Sequence, residues 1–560
     1  MFNKKVKGSE IYKSENGGKN WVKINDEVLK GVFFTYGYYF SMIRIDPNNP
    51  DVIYFAGVPL IKSIDGGKSF TRLDTSRVHV DHHALWINPN DSDHLILGND
   101  GGLYISYDGG LKWIHMNNMP VGQFYTVSVD MEKPYNVYGG LQDNGVYRGS
   151  SKSKLHRSSF WKRIIYGDGM YVAVDPRNSD IVFTGYQFGN YYKCTVSKNK
   201  FDKVTPKHKI GDPPLRFNWR TPLVMSTHNS DVLYCGANIL YRSMDQGENW
   251  EPISKDVTTN KQPQGNVPYS TISAVSESPL KFGLIWVGTD DGNIQLSKDG
   301  GNSWKLVSKR LPQNRWISSI SASPHDKRTA YISMNGYRSD EFKIYLFKTT
   351  DYGKTWTSIK GNLPEAVVNV VLPDPVNKDL VYAGTDDGAY VSLNKGVNWQ
   401  RISGVPNVAT YDMVVHPRDN ELVIGTHGRS IYVMNVKPLQ ALEGSKRDTA
   451  IIAFKTKDVR HHNNWGEKTY FYSKTNETVV KFIYYIGNKN NSKEVTVTIN
   501  DKDDNEVRKL VSSNELGFHR LKWNLQTNED IENPEFLSKG TYKIKFSNGD
   551  KSSETEFKIK

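Results

Sequence analysis

Three imidazoles and a carboxylate crowd into five residues, His79-x-Asp81-His82-His83. If this stretch is extended, His79, Asp81 and His83 share one face, because strand side chains alternate. Imidazole and carboxylate are ligand types for Zn²⁺ or another divalent ion. Neighbouring strand positions splay their side chains, however. The expectation is a role in structure or ligand contact, with no metal and no cofactor. Further polar groups stand beside glycine-containing turns: Asp100, Gln142, Asp143, Asp290, Asp386, His427 and Arg429. Asp168, Trp219, Arg220, Trp316 and Tyr411 stand where the chain enters apolar runs. Carboxylates and amides accept hydroxyl protons, and Trp and Tyr rings stack on sugar C–H faces, so the set suits carbohydrate or peptide binding. A glycosidase needs two carboxylates about 5–5.5 Å or 6.5–9.5 Å apart. The sequence offers many acids and does not pair them. Asp-Gly and Asn-Gly are also what tight hairpins demand, so each acid has a plain turn reading beside the chemical one.

The composition narrows the classes. The chain has 560 residues, and 37% are hydrophobic against 24% charged, which suits a packed protein rather than a disordered one. Aromatics at 12% and 46 glycines favour β structure, with rings on pleated faces and Gly in the turns. No run of about 18 uncharged apolar residues exists, so no transmembrane helix is expected. The start, Met1 to Lys7, shows no apolar stretch of the kind a secretory signal carries. Cys194 and Cys235 are the two cysteines and cannot make a disulfide framework. The net charge of +12 comes from scattered lysines and arginines without a nucleic-acid-binding motif, so a solvated surface is expected and nucleic acid is not.

What positions those groups is a repeat. The pattern Ser/Thr-x-Asp/Asn-x-Gly-x-x-Trp/Phe occurs seven times, beginning at Ser14, Ser63, Ser106, Ser243, Ser297, Thr349 and Ser392, and six of the 13 tryptophans close it. Its logic is a hairpin turn. The Asp or Asn side chain accepts backbone N–H bonds, Gly takes positive φ, and the aromatic ring starts the next strand and packs on a neighbouring unit. A second pattern, Asp-Pro-x-Asn-x-Asp-x-x-Tyr-x-Gly, is clear from Asp46, Asp175 and Asp374. Weaker relatives bring the starts to nine, 42 to 51 residues apart. Each unit reads as four short strands, A to D, which is the signature of a propeller blade. The first pattern falls at the C–D turn. Two units lack it: one with an extended turn from Ser150 to Trp161, the other through Tyr192 to Phe201.

The turns resemble the Asp-box (bacterial neuraminidase, BNR) repeats of sialidases, sortilin-like propellers and tandem-propeller xyloglucanases. Asp81-His82-His83-Ala84-Leu85-Trp86, Gln142-Asp143-Asn144-Gly145 and Arg216-Phe217-Asn218-Trp219-Arg220-Thr221-Pro222 are similar to a narrower set, secreted bacterial sortilin-like or "glycosyl hydrolase" proteins. The resemblance covers about residues 8 to 435. It implies an Asp-box β-propeller and an extracytoplasmic location: secreted, periplasmic or at the cell surface. It also implies a ligand at the channel mouth: protein, peptide or glycan. The chain opens on strands C and D of a unit, as a shortened member would. The expectation is therefore blades of an incomplete first propeller over 1–117 and a main, seven-bladed propeller over 118–435, the alternative being one ring of nine or ten blades.

After Asn435 the repeat stops. Residues 436–464 read as a connector, and 465–560 as an Ig-like β-sandwich of about seven short strands. The Trp523 and Gly540-Thr541-Tyr542 segments resemble the Ig-like domain of flagellar hook-capping proteins. Two functions from different classes follow. One is a non-catalytic propeller binding its ligand at the mouth. The alternative is a glycoside hydrolase acting on a polysaccharide through a pair of Asp carboxylates. A sialidase would need clustered arginines, and only Arg220, Arg338 and Arg429 sit suitably.

Overall fold

The computed structural model describes the chain except residues 1–9, 26–27, 30, 33–38, 40–41, 75–76, 154–160, 262–266, 466, 469, 471–475, 477, 489–492 and 531–532. Strands make up nearly all of its regular structure, in antiparallel sheets of mostly four strands. No described helix is long and apolar enough to cross a membrane. The chain forms two compact units, Met1–Pro120 and Val121–Lys560.

The first unit holds a two-stranded sheet, Tyr12–Lys13 with Val22–Lys23, and two four-stranded sheets, Met42–Ile45 to Thr71–Arg72 and His82–Asn88 to Ile114–His115. The two larger sheets share a core in which Tyr54 and Leu60 of one pack with Leu85, Leu95 and Leu97 of the other.

The second unit opens with seven consecutive sheets. The first contains Phe124–Val129, Asn136–Leu141, Gly145–Ser150 and Trp161–Ile165. The next five begin at Gly169–Val174, Leu223–Met225, Ile272–Glu277, Trp316–Ala322 and Val368–Pro373. The seventh has three strands, Thr410–Val415, Glu421–Thr426 and Ile431–Asn435. The opening strands adjoin one another in order, and the first also adjoins the seventh. At that junction Val127 N–H donates to Asp412 Oδ2 at 2.9 Å, and Tyr135 Oη donates to Glu421 Oε2 at 2.8 Å. Val127, Tyr135 and Val137 pack there on Val423.

The repeated turns work as the residue types require. In all seven, the leading Ser Oγ or Thr Oγ1 accepts the N–H of the Gly four residues on, as in Ser297 with Gly301 at 2.8 Å. The Asp or Asn accepts the N–H four residues beyond itself, as in Asp299 with Ser303 at 2.9 Å. The Gly and Trp reach further, onto the preceding sheet. Trp250, Trp304, Trp356 and Trp399 donate Nε1–H to the carbonyls of Val204, Ile253, Val307 and Ile359 at 2.7, 2.7, 2.9 and 2.9 Å. A Cβ added at Gly247, Gly301, Gly353 or Gly396 would meet the same four residues at 2.9, 2.7, 2.8 and 2.7 Å. One turn thus closes its own hairpin and clasps its neighbour.

Beyond Asn435 a short helix, Lys437–Gln440, docks on the sixth sheet: Gln440 Nε2 donates to Asp374 Oδ2 at 3.0 Å, and Asn377 Nδ2 donates to the Gln440 and Leu442 carbonyls. Two further sheets, one of Ile452–Ala453, Val480–Ile486 and Gly517–Trp523 and one of four strands, enclose a core around Phe482, Tyr484, Trp523, Ile544 and Phe546. Ile451 is buried in that core, and Ala453 and Val459 pack against it. Arg447 bridges the two parts: its Nη2 donates to Asp379 at 3.0 Å and its carbonyl accepts from Tyr485 Oη at 3.1 Å.

If the clasp holds the sheets together, its two members should differ in cost. Gly301 has φ +99° and no room for a Cβ, so Gly301→Ala is expected to lose about 2 kcal/mol. Trp304→Phe removes the indole N–H shared by the Ile253 and Gly301 carbonyls and should lose about 1 kcal/mol. Urea denaturation of both variants checks this; midpoints equal to the parent's would contradict the clasp.

Candidate functional site

In six of the seven sheets that open the second unit, the pairing of the first two strands slips by one residue near the strand's start. Such a bulge bends the strand and re-aims a side chain. The slips fall at Tyr125, within Met170–Tyr171, and at Ser273, Ser318, Asn369 and Tyr411. Tyr125, Ser318, Asn369 and Tyr411 converge on one cup of about 310 Å³. The third sheet has no slip and contributes Asn218, Trp219 and Arg220 from the approach to Leu223–Met225. Trp316, Asn335, Tyr337 and Arg338 of the fifth sheet and His427 of the seventh complete the wall.

The wall is aromatic and braced. Tyr411 stacks on His427 with centroids 4.5 Å apart, and Tyr125 lies 5.1 Å from the same ring. Trp219 donates Nε1–H to Tyr125 Oη at 3.3 Å and sets its ring against the edge of Phe188 at 5.1 Å. The Arg338 guanidinium lies 4.2 Å from the Trp316 ring centroid. His427 Nδ1 and Asn335 Oδ1 are buried with no hydrogen-bond partner among the described residues. Burial lowers the His427 pKa below the ordinary histidine value.

Arg220 forms the floor. Its Nη1 donates to the Tyr125 carbonyl at 3.2 Å and its Nη2 to the Ser318 carbonyl at 3.3 Å, tying the first, third and fifth sheets together. Below it lies a second cavity of about 140 Å³, also bordered by Arg220, Ser318, Asn369, Tyr411 and Asp412. Burial opposes the Arg220 charge, but Tyr171 and Asp412 nearby hold its pKa above the ordinary value. Burial pushes the Asp412 carboxyl up to about 6, against the pull of the Val127 amide and Arg220.

The acids around the cup are engaged with their own surroundings. Asp143 takes φ +59° at its turn, and its N–H donates to Asp168 Oδ1 at 2.8 Å. Burial raises the Asp168 carboxyl, and the nearby Asp143 charge raises it further. Gln142 joins the pair to the cup, donating to Asp143 Oδ2 at 3.2 Å and accepting from Tyr125 Oη. Asp290, pushed up to about 6 by burial, accepts from Thr271 N–H at 2.8 Å, Thr271 Oγ1 at 2.7 Å and Asn218 Nδ2 at 3.4 Å. Asp386 accepts from Asn369 Nδ2 at 2.8 Å.

Of the residues singled out from the sequence, Trp219, Arg220, Trp316, Tyr411 and His427 line the cup. Gln142, Asp143, Asp168, Asp290 and Asp386 brace it from behind through those bonds. Arg429 is exposed and does not line it; its N–H caps Thr426 Oγ1. His79, Asp81, His83 and Asp100 belong to the other unit. The single strand expected over His79–His83 does not form: the strand starts at His82, Asp81 has φ +66°, and a slip falls at His83. The imidazoles go separate ways, His83 Nε2 to Asp100 at 2.7 Å, His79 Nδ1 to the Val80 carbonyl at 2.8 Å, and His82 toward buried Asp74. Ser318 and Asn369 were missed. For Ser318 the signal was the spacing of three, not two, between buried Ile317 and Ile320; Asn369, between Val368 and buried Val370, carried none.

The comparisons with known proteins agree with the repeat. The family described as "Sortilin, neurotensin receptor 3" (Sortilin-Vps10) matches residues 344–556. A xyloglucanase of Paenibacillus sp. is 23% identical over 143 residues, covering 23% of this chain and 14% of that protein. A xyloglucanase of Hypocrea jecorina is 25% identical over 150 residues, 24% of this chain and 18% of that protein. The vacuolar protein sorting/targeting protein 10 of Laccaria bicolor is 29% identical over 108 residues, 18% of this chain and 7% of that protein. The chain thus spans less than a fifth of the length of these relatives. Among solved structures, a Niastella koreensis GH74 enzyme aligns at a TM-score of 0.27 and 14% identity, over 85% of this chain and 77% of that one. YCF48 from Cyanidioschyzon merolae aligns at 0.33 and 15%, over 56% and 95%. The chain is similar to sortilin-like and glycosyl-hydrolase-type β-propellers.

The floor has a pH signature. Asp412 has a folded pKa of about 6, above the usual unfolded value of ~3.9. Its contribution is therefore fully present below the unfolded value and is lost as pH rises through 6. Asp412→Asn, which keeps an acceptor for Val127, should flatten the dependence of the thermal midpoint on pH between about 4 and 7. Parallel profiles for the variant and the parent would contradict the assignment.

Proposed function

We propose that the protein is an extracytoplasmic, non-catalytic propeller that binds a protein, peptide or glycan ligand in the cup at the mouth of its channel. The observation that carries this reading is the convergence of four bulge residues, Tyr125, Ser318, Asn369 and Tyr411, with Trp219 and Trp316 on one cavity. Nearby acids are held by amides, hydroxyls and each other, which suits a scaffold better than a pair of catalytic groups. In the same reading Val121–Asn435 is a seven-bladed ring closed by the first sheet on the seventh, and the C-terminal sandwich is an Ig-like module carried beside it. The sheets of Met1–Pro120 belong to another propeller.

Glycoside hydrolysis is the second reading. It is favoured by the similarity to xyloglucanases, 23% identical over 143 residues in one case and 25% over 150 in another. It requires two carboxylates about 5–5.5 Å or 6.5–9.5 Å apart across the substrate.

Neutral-pH screening against plant, algal and host glycans and a peptide library separates the two. Binding without product release is expected, weakened about tenfold or more in Trp219→Ala, the scale of one aromatic contact. Turnover abolished by a single Asp→Asn change at the mouth would overturn the non-catalytic reading.

A further inference from the structure

A second aromatic surface lies away from the cup, on the flank of the first two sheets of the Val121–Lys560 unit. Arg163 and Tyr166 come from the outer strand of the first sheet and the turn after it. Tyr186, Gln187, Tyr192 and Phe201 come from the second sheet, one of those without the repeated Ser/Thr-x-Asp/Asn turn. Together they border an open groove of about 850 Å³. Tyr166 is 70% exposed and Phe201 38%. Large aromatic faces left in water next to one another mark an interaction surface.

The polar groups of the groove specify what it fits. The Arg163 guanidinium lies 3.7 Å from the Tyr166 ring centroid and, among the described residues, forms no hydrogen bond or ion pair. Tyr186 Oη and Tyr192 Oη are 3.3 Å apart and share one hydrogen bond, which leaves one hydroxyl proton to donate outward. Gln187 Oε1 already accepts from the Asp168 N–H, so its amide N–H₂ remains to donate. No carboxylate lines the groove. The surface therefore offers flat rings, hydrogen-bond donors and a cation, with side-chain acceptors limited to the tyrosine hydroxyl oxygens, Gln187 Oε1 and Asn199 Oδ1. A sugar chain brings several hydroxyl donors on every ring, more than these few acceptors match, and would leave most of them to water. A polyproline II segment brings the opposite: proline rings to pack on tyrosines, solvated carbonyls to accept, and no N–H at each proline.

We propose that this groove docks a proline-rich segment of a partner protein in the polyproline II conformation, with an acidic residue of that segment against Arg163. The occupant and the surface are independent of the cup.

Fluorescence polarisation tests it with a fluorescein-labelled peptide of two glutamates followed by eight prolines, with an all-proline peptide as comparison. Saturable binding that favours the glutamate-bearing peptide is expected. Tyr166→Ala should weaken it about tenfold, as for loss of one aromatic contact. Arg163→Gln should abolish the preference between peptides, and Trp219→Ala in the cup should change nothing. Near-ultraviolet circular dichroism confirms that the variants fold, and Tyr192→Phe, which removes only a hydroxyl, gives a milder second probe of the groove. Absence of saturable binding, binding indifferent to Tyr166→Ala, or displacement of the peptide by cellohexaose would overturn the proposal, the last by assigning the groove to a glycan.

Discussion

The architecture depends on a clasp between sheets. A sheet buries one face only against another, so a chain of small sheets holds together only if each is fixed to the one before. Here the fixing residues are the same ones that close a hairpin. The turn Gly carries no Cβ, which lets the backbone press against Val204, Ile253, Val307 or Ile359 of the preceding sheet, and the Trp indole then donates to that residue's carbonyl. Local turn chemistry and long-range packing thus make the same demand on the same residues, the agreement between levels that favours a single native structure. Where the repeated turn is absent, in the first, second and seventh sheets, other contacts take over. The junction of the first sheet with the seventh relies on Asp412, Glu421 and a small apolar cluster around Val423.

The candidate site is a by-product of how inner strands end. In four of the six slipped strands, one extra residue near the start breaks the alternation and turns a side chain into the cup. Seven sheets with the same slip would give a ring of such side chains. Here six slip, and in the sheet that does not, Arg220 comes in from the approach to the strand and spans to the Tyr125 and Ser318 carbonyls. Burying that guanidinium is tolerable because two carbonyls accept from it and Asp412 supplies a compensating charge. The cup above it is consequently shallow and floored, and its wall carries stacked rings rather than opposed acids.

Much of this was legible in the sequence. The seven turns, the β character, the strand-entry residues Trp219, Arg220, Trp316 and Tyr411 and the turn residue His427 follow from spacing and residue type, because turn geometry and packing period are local properties. The bulges were not read. Asn369 looks like an ordinary inner-strand residue, and so does Ser318 unless the three-residue gap between Ile317 and Ile320 is taken as a break in alternation. The same effect undid the reading of His79–His83: a left-handed Asp81 and a slip at His83 separate imidazoles that simple alternation would have aligned. Ile451 was also not read as core, since it joins the C-terminal core from a stretch with no strand pattern of its own.

The central claim is that the bulge residues assemble a ligand-binding cup. A crystal structure of the protein bound to a ligand from the screen tests it most directly. The account predicts an intact ligand seated on the Arg220 floor, in contact with Tyr125, Asn369 and Tyr411 and stacked against Trp219. A ligand bound elsewhere with the cup unoccupied, or a cleaved product between two carboxylates, would contradict it.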